Sequence, residues 1–205
     1  MYAPPFRKQH LNTEMILAAY KSGLFPMAEG KNGAIGFFHF EPRGIIPLDE
    51  HFIVRRSLSQ TLKKKPFEIR FDTSFEDVIR GCARHDELPD EDVWISEEII
   101  ELYVELHHQG IAHSVEAWRD GTLVGGLYGL VLGSAFCGES MFSRAPNASQ
   151  AALIALVEHL RKQGFTLLDA QMPTEHLEQF GLYSVSQGQY LRMLADALGH
   201  SASWK

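Results

Sequence analysis

Three polar side chains, Glu139, Asp169 and Gln171, stand at the ends of apolar runs, where a soluble chain has little reason to place them. In FTLLDAQ, residues 165–171, a period of two puts Phe165, Leu167, Asp169 and Gln171 on one side and Leu168 and Ala170 on the other. The acid and the amide then share a side near a strand end, a common place to mount a site. Glu139 closes the neighbouring apolar run SAFCGE. A carboxylate there can hold a primary ammonium group, and an amide beside it can orient a carbonyl or an amine. The plainer alternative is that Asp169 accepts from backbone N–H groups and Gln171 closes a loop. The three residues alone do not separate the two.

Other chemistries have less support. His107 and His108 are adjacent and so face different ways, and His113 and His176 have no close liganding set. Neither HExxH nor CxxC occurs, so no metal is expected. No GxSxG elbow is present. The glycine-rich GLVLGSAFCG has neither GxxxxGK[ST] nor GxGxxG, and glycines 125, 126, 129, 133 and 138 fit a bulged or tightly packed sheet. No cofactor is implied. Cys82 and Cys137 sit in apolar settings and read as reduced, buried thiols.

The chain has 205 residues, 45% of them apolar, enough for one substantial core or two small ones sharing a face. No apolar run is long enough to cross a bilayer, and the N-terminus MYAPPFRKQH lacks a signal-peptide core, so the cytoplasm is expected. Net charge is -7, yet the charge is polarised. His51 to Arg70 carries six basic residues against one acid, while His85 to Glu105 carries nine acids and no Lys or Arg. A phosphate backbone can meet the first stretch; a solvated helix face is the simpler reading. Phe25, Phe37, Phe38, Phe40 and Trp94 can stack on a base or fill a core or domain seam.

These residues need elements to position them. NTEMILAAYKSG reads as a helix capped by Asn12 and stopped at Gly23. GAIGFFHFEPRGIIPL reads as short strands broken by turns at Pro42 and Gly44, and HFIVRRSLSQTLKKK as a helix. Residues 1–65 form a small N-terminal domain or layer in this reading, and 66–205 the main domain. There, strand PFEIRFD precedes a helix with a Ser74–Asp77 capping box, and Ser96 caps a helix stopped at Gly110. AHSVEAW and TLVGGLYGLVLG pair across Arg119-Asp120-Gly121. Asn147 and Gln150 fit a further capping box for an apolar helix stopped at Gly164, and two helices follow the FTLLDAQ strand. The order predicts a mixed sheet covered by helices, an α+β or α/β three-layer arrangement.

Several stretches also carry a resemblance: GLFPM (23–27), EPRGIIP (41–47), FIVRRSL (52–58), VWI (93–95), AHSVE (112–116), LVGGLYG (123–129), FCGESMFSR (136–144), NASQAAL (147–153) and LLDAQ (167–171). In this order they resemble the leucyl/phenylalanyl-tRNA–protein transferases over roughly residues 12–190. The resemblance implies transfer of Leu or Phe, less readily Met, from aminoacyl-tRNA to proteins beginning with Arg or Lys, which marks them for degradation. It implies a GCN5-related acetyltransferase-like catalytic domain with a small N-terminal domain packed on it, working without acetyl-CoA. In keeping with that, APNAS stands where a Q/RxxGxG/A-type pyrophosphate loop would precede the Asn147 helix.

By the same resemblance, Leu127, Phe136, Leu153, Leu156 and Leu168 form the aminoacyl pocket. Leu127 and Leu156 stand where the family often has Met and Phe. Asp169 and Gln171 form the catalytic pair, Asp169 orienting Gln171 or assisting proton removal, and Glu139 helps fix the acceptor N-terminus. Leu168 and Asp169 alternate on an ideal strand, so one substrate touching both requires a bulge or an edge-on pocket. His113 falls beside the site, with a core hydrogen-bonding role favoured. Phe38 or Phe40, within FFHF, and Trp94 stack on tRNA, while Arg55, Arg56, Lys63, Lys64 and Lys65 meet the acceptor-stem backbone. VSQGQY (185–190) departs from the family's basic run. A monomer is expected. An acyl-CoA-dependent N-acyltransferase and a non-catalytic aminoacyl-tRNA-binding adaptor are the alternatives.

Overall fold

The computed structural model describes residues 11–205; residues 1–10 of the expected N-terminal domain, on which the expectation about a signal peptide also rests, lie outside the described residues. Helix α1 (Thr13–Lys21) begins where the Asn12 side chain accepts from the Met15 N–H at 2.9 Å, and ends ahead of Gly23 at φ +79°. Strands β1 (Phe25–Ala28) and β2 (Ile35–Phe38) make a separate antiparallel ribbon. Then follow β3 (Arg43–Ile46), α2 (Arg56–Leu62), β4 (Glu68–Phe71), α3 (Phe75–Ala83), α4 (Glu97–His108), β5 (Ala112–Arg119), β6 (Thr122–Leu132) and β7 (Ala135–Ser143). The chain closes with α5 (Ala148–Lys162), β8 (Leu167–Gln171), α6 (Glu175–Glu178), β9 (Tyr183–Val185) and α7 (Gln187–Leu198).

Seven strands form one mixed sheet in the order β4-β5-β6-β7-β8-β3-β9. All neighbours are antiparallel except β7 and β8, whose crossover is α5. The β5–β6 turn is as expected, Asp120 and Gly121 both taking positive φ. The sheet separates two cores. On one face, Tyr128, Leu130 and Cys137 pack with α1, α3 and α4 through Ile16, Tyr20, Ile79, Ile99, Tyr103 and Leu106. On the other, Val115, Leu127, Phe136 and Leu168 pack with α5 through Leu153, Leu156, Val157 and Leu160. Each such Leu or Val contributes about 1.5–3 kcal/mol when fully buried. The alternation of Tyr128 with Leu127, and of Cys137 with Phe136, is the period-two pattern dividing between the two faces.

Several local expectations are corrected. Gly44 lies inside β3, where it pairs with Gln171 and Ser184, and does not make a turn. Residues 43–46, within the expected 1–65 segment, thus supply β3, the strand between β8 and the edge strand β9, while the β1–β2 ribbon lies outside the main sheet. The His51–Lys65 helix is confined to Arg56–Leu62, because the Ile53 N–H donates to Phe180 O and Arg55 is extended at ψ 140°. Ser74 makes no cap bond; the buried Glu116 carboxylate accepts from the Thr73 and Ser74 N–H groups, each at 2.8 Å. Asn147 sits at φ +69° without a cap bond, and the Ser143 hydroxyl accepts from Ser149 N–H at 3.0 Å instead. Ser186 and Gln189, within VSQGQY, do form a capping box, opening α7.

Candidate active site

The sheet splits between its two parallel strands. Pairing of β7 with β8 covers Ala135↔Leu167, Phe136↔Leu168 and Cys137↔Asp169. Beyond that point β7 continues to Ser143 while β8 stops at Gln171. Two irregularities force them apart. On β7, Gly129 opposes Gly138 and Tyr128 opposes Ser140, which leaves Glu139 as the extra residue of a bulge. On β8, Gln171 turns out of the strand at φ +58°, and the β3 register shifts between Gly44 and Ile45. Glu139 thus lies in mid-strand and is aimed by a bulge, where the sequence reading had it closing a run. At the vertex a Cβ on Gly138 would stand 3.3 Å from the Asp169 carbonyl oxygen, so the strands approach closely before they diverge.

A cavity of about 410 Å³ fills the gap. Leu127, Leu153, Leu156 and Leu168 line its α5 side, and Phe25, Phe40 and Trp94 line the opposite side. Gly138, Glu139, Asp169 and Gln171 close the vertex, and Met172, Thr174 and His176 lie toward the loop after β8. This resolves the conflict between Leu168 and Asp169. Alternation holds, with Leu168 toward α5 and Asp169 toward Tyr190 on the other face, and the cavity meets β8 edge-on. Phe165 breaks the expected pattern. It precedes the strand and packs in the α5 core with Leu168, not beside Asp169.

Asp169 is wholly buried and saturated. Arg43, also wholly buried, donates Nε to Oδ1 at 2.8 Å and Nη2 to Oδ2 at 2.6 Å. The Tyr190 hydroxyl donates to Oδ2 at 2.7 Å, and the Gln171 backbone N–H to Oδ1 at 2.8 Å. Four donors fill a carboxylate's acceptor positions. Burial opposes the charge on Arg43, but the Asp169 carboxylate outweighs it and holds the guanidinium pKa above its ordinary value. The guanidinium also lies over the Tyr190 ring, 4.3 Å from its centroid. Asp169 therefore fixes the backbone of Gln171 in its left-handed turn. Sequence reading missed Arg43 and Tyr190; the available signal was an Arg inside the apolar run of EPRGIIP.

The Gln171 side chain is free of Asp169 and donates Nε2 to Glu139 Oε1 at 2.7 Å. Glu139 Oε2 is buried with no hydrogen-bond partner among the described residues, as is the Tyr128 hydroxyl. Burial pushes the Glu139 carboxyl up to about 7; the Tyr20 hydroxyl offsets part of this, Asp169 adds to it, and Arg43 and Gln171 oppose it. Tyr20 acts on Glu139 across a short space, while its own hydrogen bond is shared with the Tyr103 hydroxyl. Burial likewise raises the Tyr20, Tyr103 and Tyr128 phenols, with the Glu139 charge adding to the effect. The site is a carboxyl with its pKa raised to about 7, backed by phenols and joined to an amide, opening on an apolar chamber.

The remaining predicted residues divide. Phe136 is fully buried beneath the pocket leucines, stacked on Trp204 at 5.5 Å, and does not line the cavity. Phe38 is half-buried in the ribbon and also lies off the lining. Arg55, Arg56, Lys63, Lys64 and Lys65 are all exposed, on and around α2. His113 is away from the cavity, in a core hydrogen-bonding role: Nδ1 meets Asp72 at 2.8 Å, Nε2 meets Gly110 O at 3.2 Å, and the ring stacks on Trp204 at 4.4 Å. The expectation that His113 has no liganding neighbours is corrected, since Asp72, His107 and His113 bring ligand atoms within 4.8 Å of one another. The β4–β5 pairing, invisible in local spacing, does this. The group is spoken for by hydrogen bonds, with Asp72 also accepting from Ser114 N–H at 2.8 Å and Trp204 Nε1 at 2.7 Å. Cys82 and Cys137 are buried, unpaired thiols, and burial pushes Cys82 up to about 12.

A sheet split around an apolar chamber, with a carboxyl and an amide hydrogen-bonded at its vertex, suits a group-transferring enzyme. The chain belongs to the leucyl/phenylalanyl-tRNA protein transferase family, whose profile matches residues 45–195, with the family's N-terminal domain matching residues 9–39. It is 48% identical over 196 residues to the leucyl/phenylalanyl-tRNA–protein transferase of Herpetosiphon aurantiacus, covering 96% of this chain and 99% of that one. It is 51% identical over 193 residues to that of Paramagnetospirillum magneticum, covering 94% and 91%. Among solved structures, L-PGS from Bacillus licheniformis overlaps it at a TM-score of 0.45 and 12% identity, covering 91% of this chain and 70% of that one. Among the described residues, no helix is long and apolar enough to cross a membrane.

Proposed function

We propose that the protein moves leucyl or phenylalanyl groups, less readily methionyl, from aminoacyl-tRNA to the α-amine of proteins beginning with Arg or Lys, marking them for degradation. The observation that carries this reading is the Gln171 Nε2 to Glu139 Oε1 bond, 2.7 Å long, at the vertex of an apolar cavity. The aminoacyl side chain lies among Leu127, Leu153, Leu156 and Leu168, with Phe136 packed beneath them. Shape and burial select it, since a polar side chain would lose its hydrogen bonds to water there. The terminal adenosine stacks toward Phe40 and Trp94, and Phe38 braces the ribbon that presents Phe40. Arg55, Arg56, Lys63, Lys64 and Lys65 meet the acceptor-stem phosphates. In this reading residues 1–65 face the tRNA and 66–205 carry the chemistry on an acetyltransferase-like scaffold of the GCN5-related kind. The protein acts as a monomer in the cytoplasm and needs no cofactor.

The aminoacyl ester is already activated. The acceptor amine forms the new C–N bond at the ester carbonyl, the ester C–O bond breaks, and the ribose oxygen leaves with a proton. Orientation supplies much of the rate. Gln171 aligns the amine with the carbonyl. Asp169, with every acceptor position filled, supports a positioning role: anchored by Arg43 and Tyr190, it holds Gln171 through the Gln171 backbone N–H. Glu139 holds the Gln171 side chain through Oε1 and has its pKa raised to about 7, which lets it exchange a proton near neutral pH once the acceptor N-terminus is fixed beside it.

The test is to mix purified protein, leucyl-tRNA and an Arg-starting peptide and read the product by mass. A Leu-extended peptide supports the proposal. Folded protein that makes none overturns it. Product that appears only with acyl-CoA points to an N-acyltransferase, and tRNA binding with no product under either condition points to an adaptor.

A further inference from the structure

We propose that the unpaired edge of β7 beyond Cys137 is a strand-docking site for the acceptor polypeptide, which enters in the plane of the sheet and adds to β7 as a short extended strand. The inference rests on the transferase reading above and names how that site takes its second substrate.

Backbone accounting comes first. On one side, β7 pairs with β6 as far as Ser143. On the other, its pairing with β8 ends at Cys137. Among the described residues no strand takes the place of β8 beside Glu139, Ser140, Met141 and Phe142. β8 cannot follow, because Gln171 turns away at φ +58° and its other side is held by Gly44 of β3. An interior strand thus presents peptide N–H and C=O groups to a cavity, and such groups are costly to leave unmatched. Gly138, Glu139, Ser140 and Met141 all line that cavity.

The shape of the gap then selects the occupant. The cavity crosses the sheet, with the leucine chamber on the α5 face and the Phe25, Phe40 and Trp94 surface on the other. An aminoacyl-adenosine end that uses both surfaces runs through the gap and places its ester at the vertex. It has a single amine and a single ester carbonyl, too few to satisfy a strand edge. The direction left open lies in the sheet plane, from the Met172–His176 end toward Glu139 and Gln171. A polypeptide N-terminus arriving that way brings donors and acceptors at the strand repeat of about 3.3 Å per residue, which matches the edge. Ser140 to Ser143 spans roughly three such steps, room for about the first three acceptor residues. Pairing through the main chain tolerates any sequence after the first residue and delivers the α-amine to the vertex.

The experiment is a backbone scan of the acceptor. In an Arg-starting peptide, the 2–3 and the 3–4 amides are replaced one at a time by esters, which removes one N–H with little change in shape. The 1–2 amide is left intact so that the amine keeps its basicity. Transfer of leucine from leucyl-tRNA is measured as kcat/KM. Strand addition alternates, so one ester should lower kcat/KM by about tenfold and its neighbour by less than about twofold. Two esters with equal effects, whether both small or both large, would overturn the docking mode. If the unmodified peptide itself gives no product, the transferase reading fails. A normal unmodified reaction with a flat scan leaves that reading intact and removes the strand site alone.

Discussion

Glu139→Gln separates a carboxyl that titrates in the folded protein from one that does not. In the unfolded chain Glu139 has its ordinary pKa of 4.5, and in the folded chain burial lifts it to about 7. Between those values the folded state holds a proton that the unfolded state has released. The wild-type contribution is therefore fully present below the ordinary value and is lost as pH rises through about 7. Integrated from pH 5 to pH 8, the change is about 2.5 kcal/mol. Glu139 is only part-buried, which trims the expectation to about 1–2 kcal/mol. Glutamine does not titrate, so the variant should gain that amount relative to wild type between the two pH values, whatever fixed cost its amide carries. Urea unfolding of both proteins at pH 5 and pH 8 measures it. Parallel pH dependence in the two would refute the reasoning. The rate profile is a poorer gauge, because the acceptor α-amine itself titrates at about 7.7–8.0.

Other outcomes follow from the same geometry. Asp169→Asn, which leaves buried Arg43 without its counter-charge, should cost about 3–5 kcal/mol in urea unfolding, and Arg43→Met with Asp169→Leu together should cost less than the two single losses added; simple additivity would contradict the locked pair. Leu156→Phe narrows the leucine chamber at a stability cost of about 1–3 kcal/mol and should reduce phenylalanyl transfer more than leucyl transfer, read as the ratio of kcat/KM values. Replacing Lys63, Lys64 and Lys65 by alanine should weaken tRNA binding at low salt and flatten the log–log salt slope by about 2–3, while an unchanged slope would remove the lysine run after α2 from the interface.

Much of the sheet was legible because its signals are local. Asn12, Ser96, Gly110 and the Asp120-Gly121 turn each dictate their own geometry from neighbouring residues. The capping box at Ser74 failed because a distant side chain, Glu116, took the Ser74 N–H, and the one at Asn147 because that residue is left-handed and a pre-helix hydroxyl, Ser143, caps Ser149 N–H instead. At the site, the polar triad was visible from residue type and spacing, but its division of labour was not. Asp169 looks like a base on paper. Only the strand order, which inserts β3 between β8 and β9, reveals that Arg43 occupies it. Likewise Asp72, His113 and Trp204 lie far apart in sequence and meet only because β4 pairs with β5 and the C-terminal residues fold back. Strain carried information too. The positive φ of Gln171 and the extra residue at Glu139 are what point both side chains into the gap, and no periodicity rule contains them.

The most direct measurement is a crystal structure of the protein with a non-hydrolysable leucyl-adenosine. The account predicts the leucyl side chain among Leu127, Leu153, Leu156 and Leu168, the adenine against Phe40 or Trp94, and the carbonyl within hydrogen-bonding reach of Gln171. Electron density for the ligand anywhere outside the β7–β8 gap would contradict it.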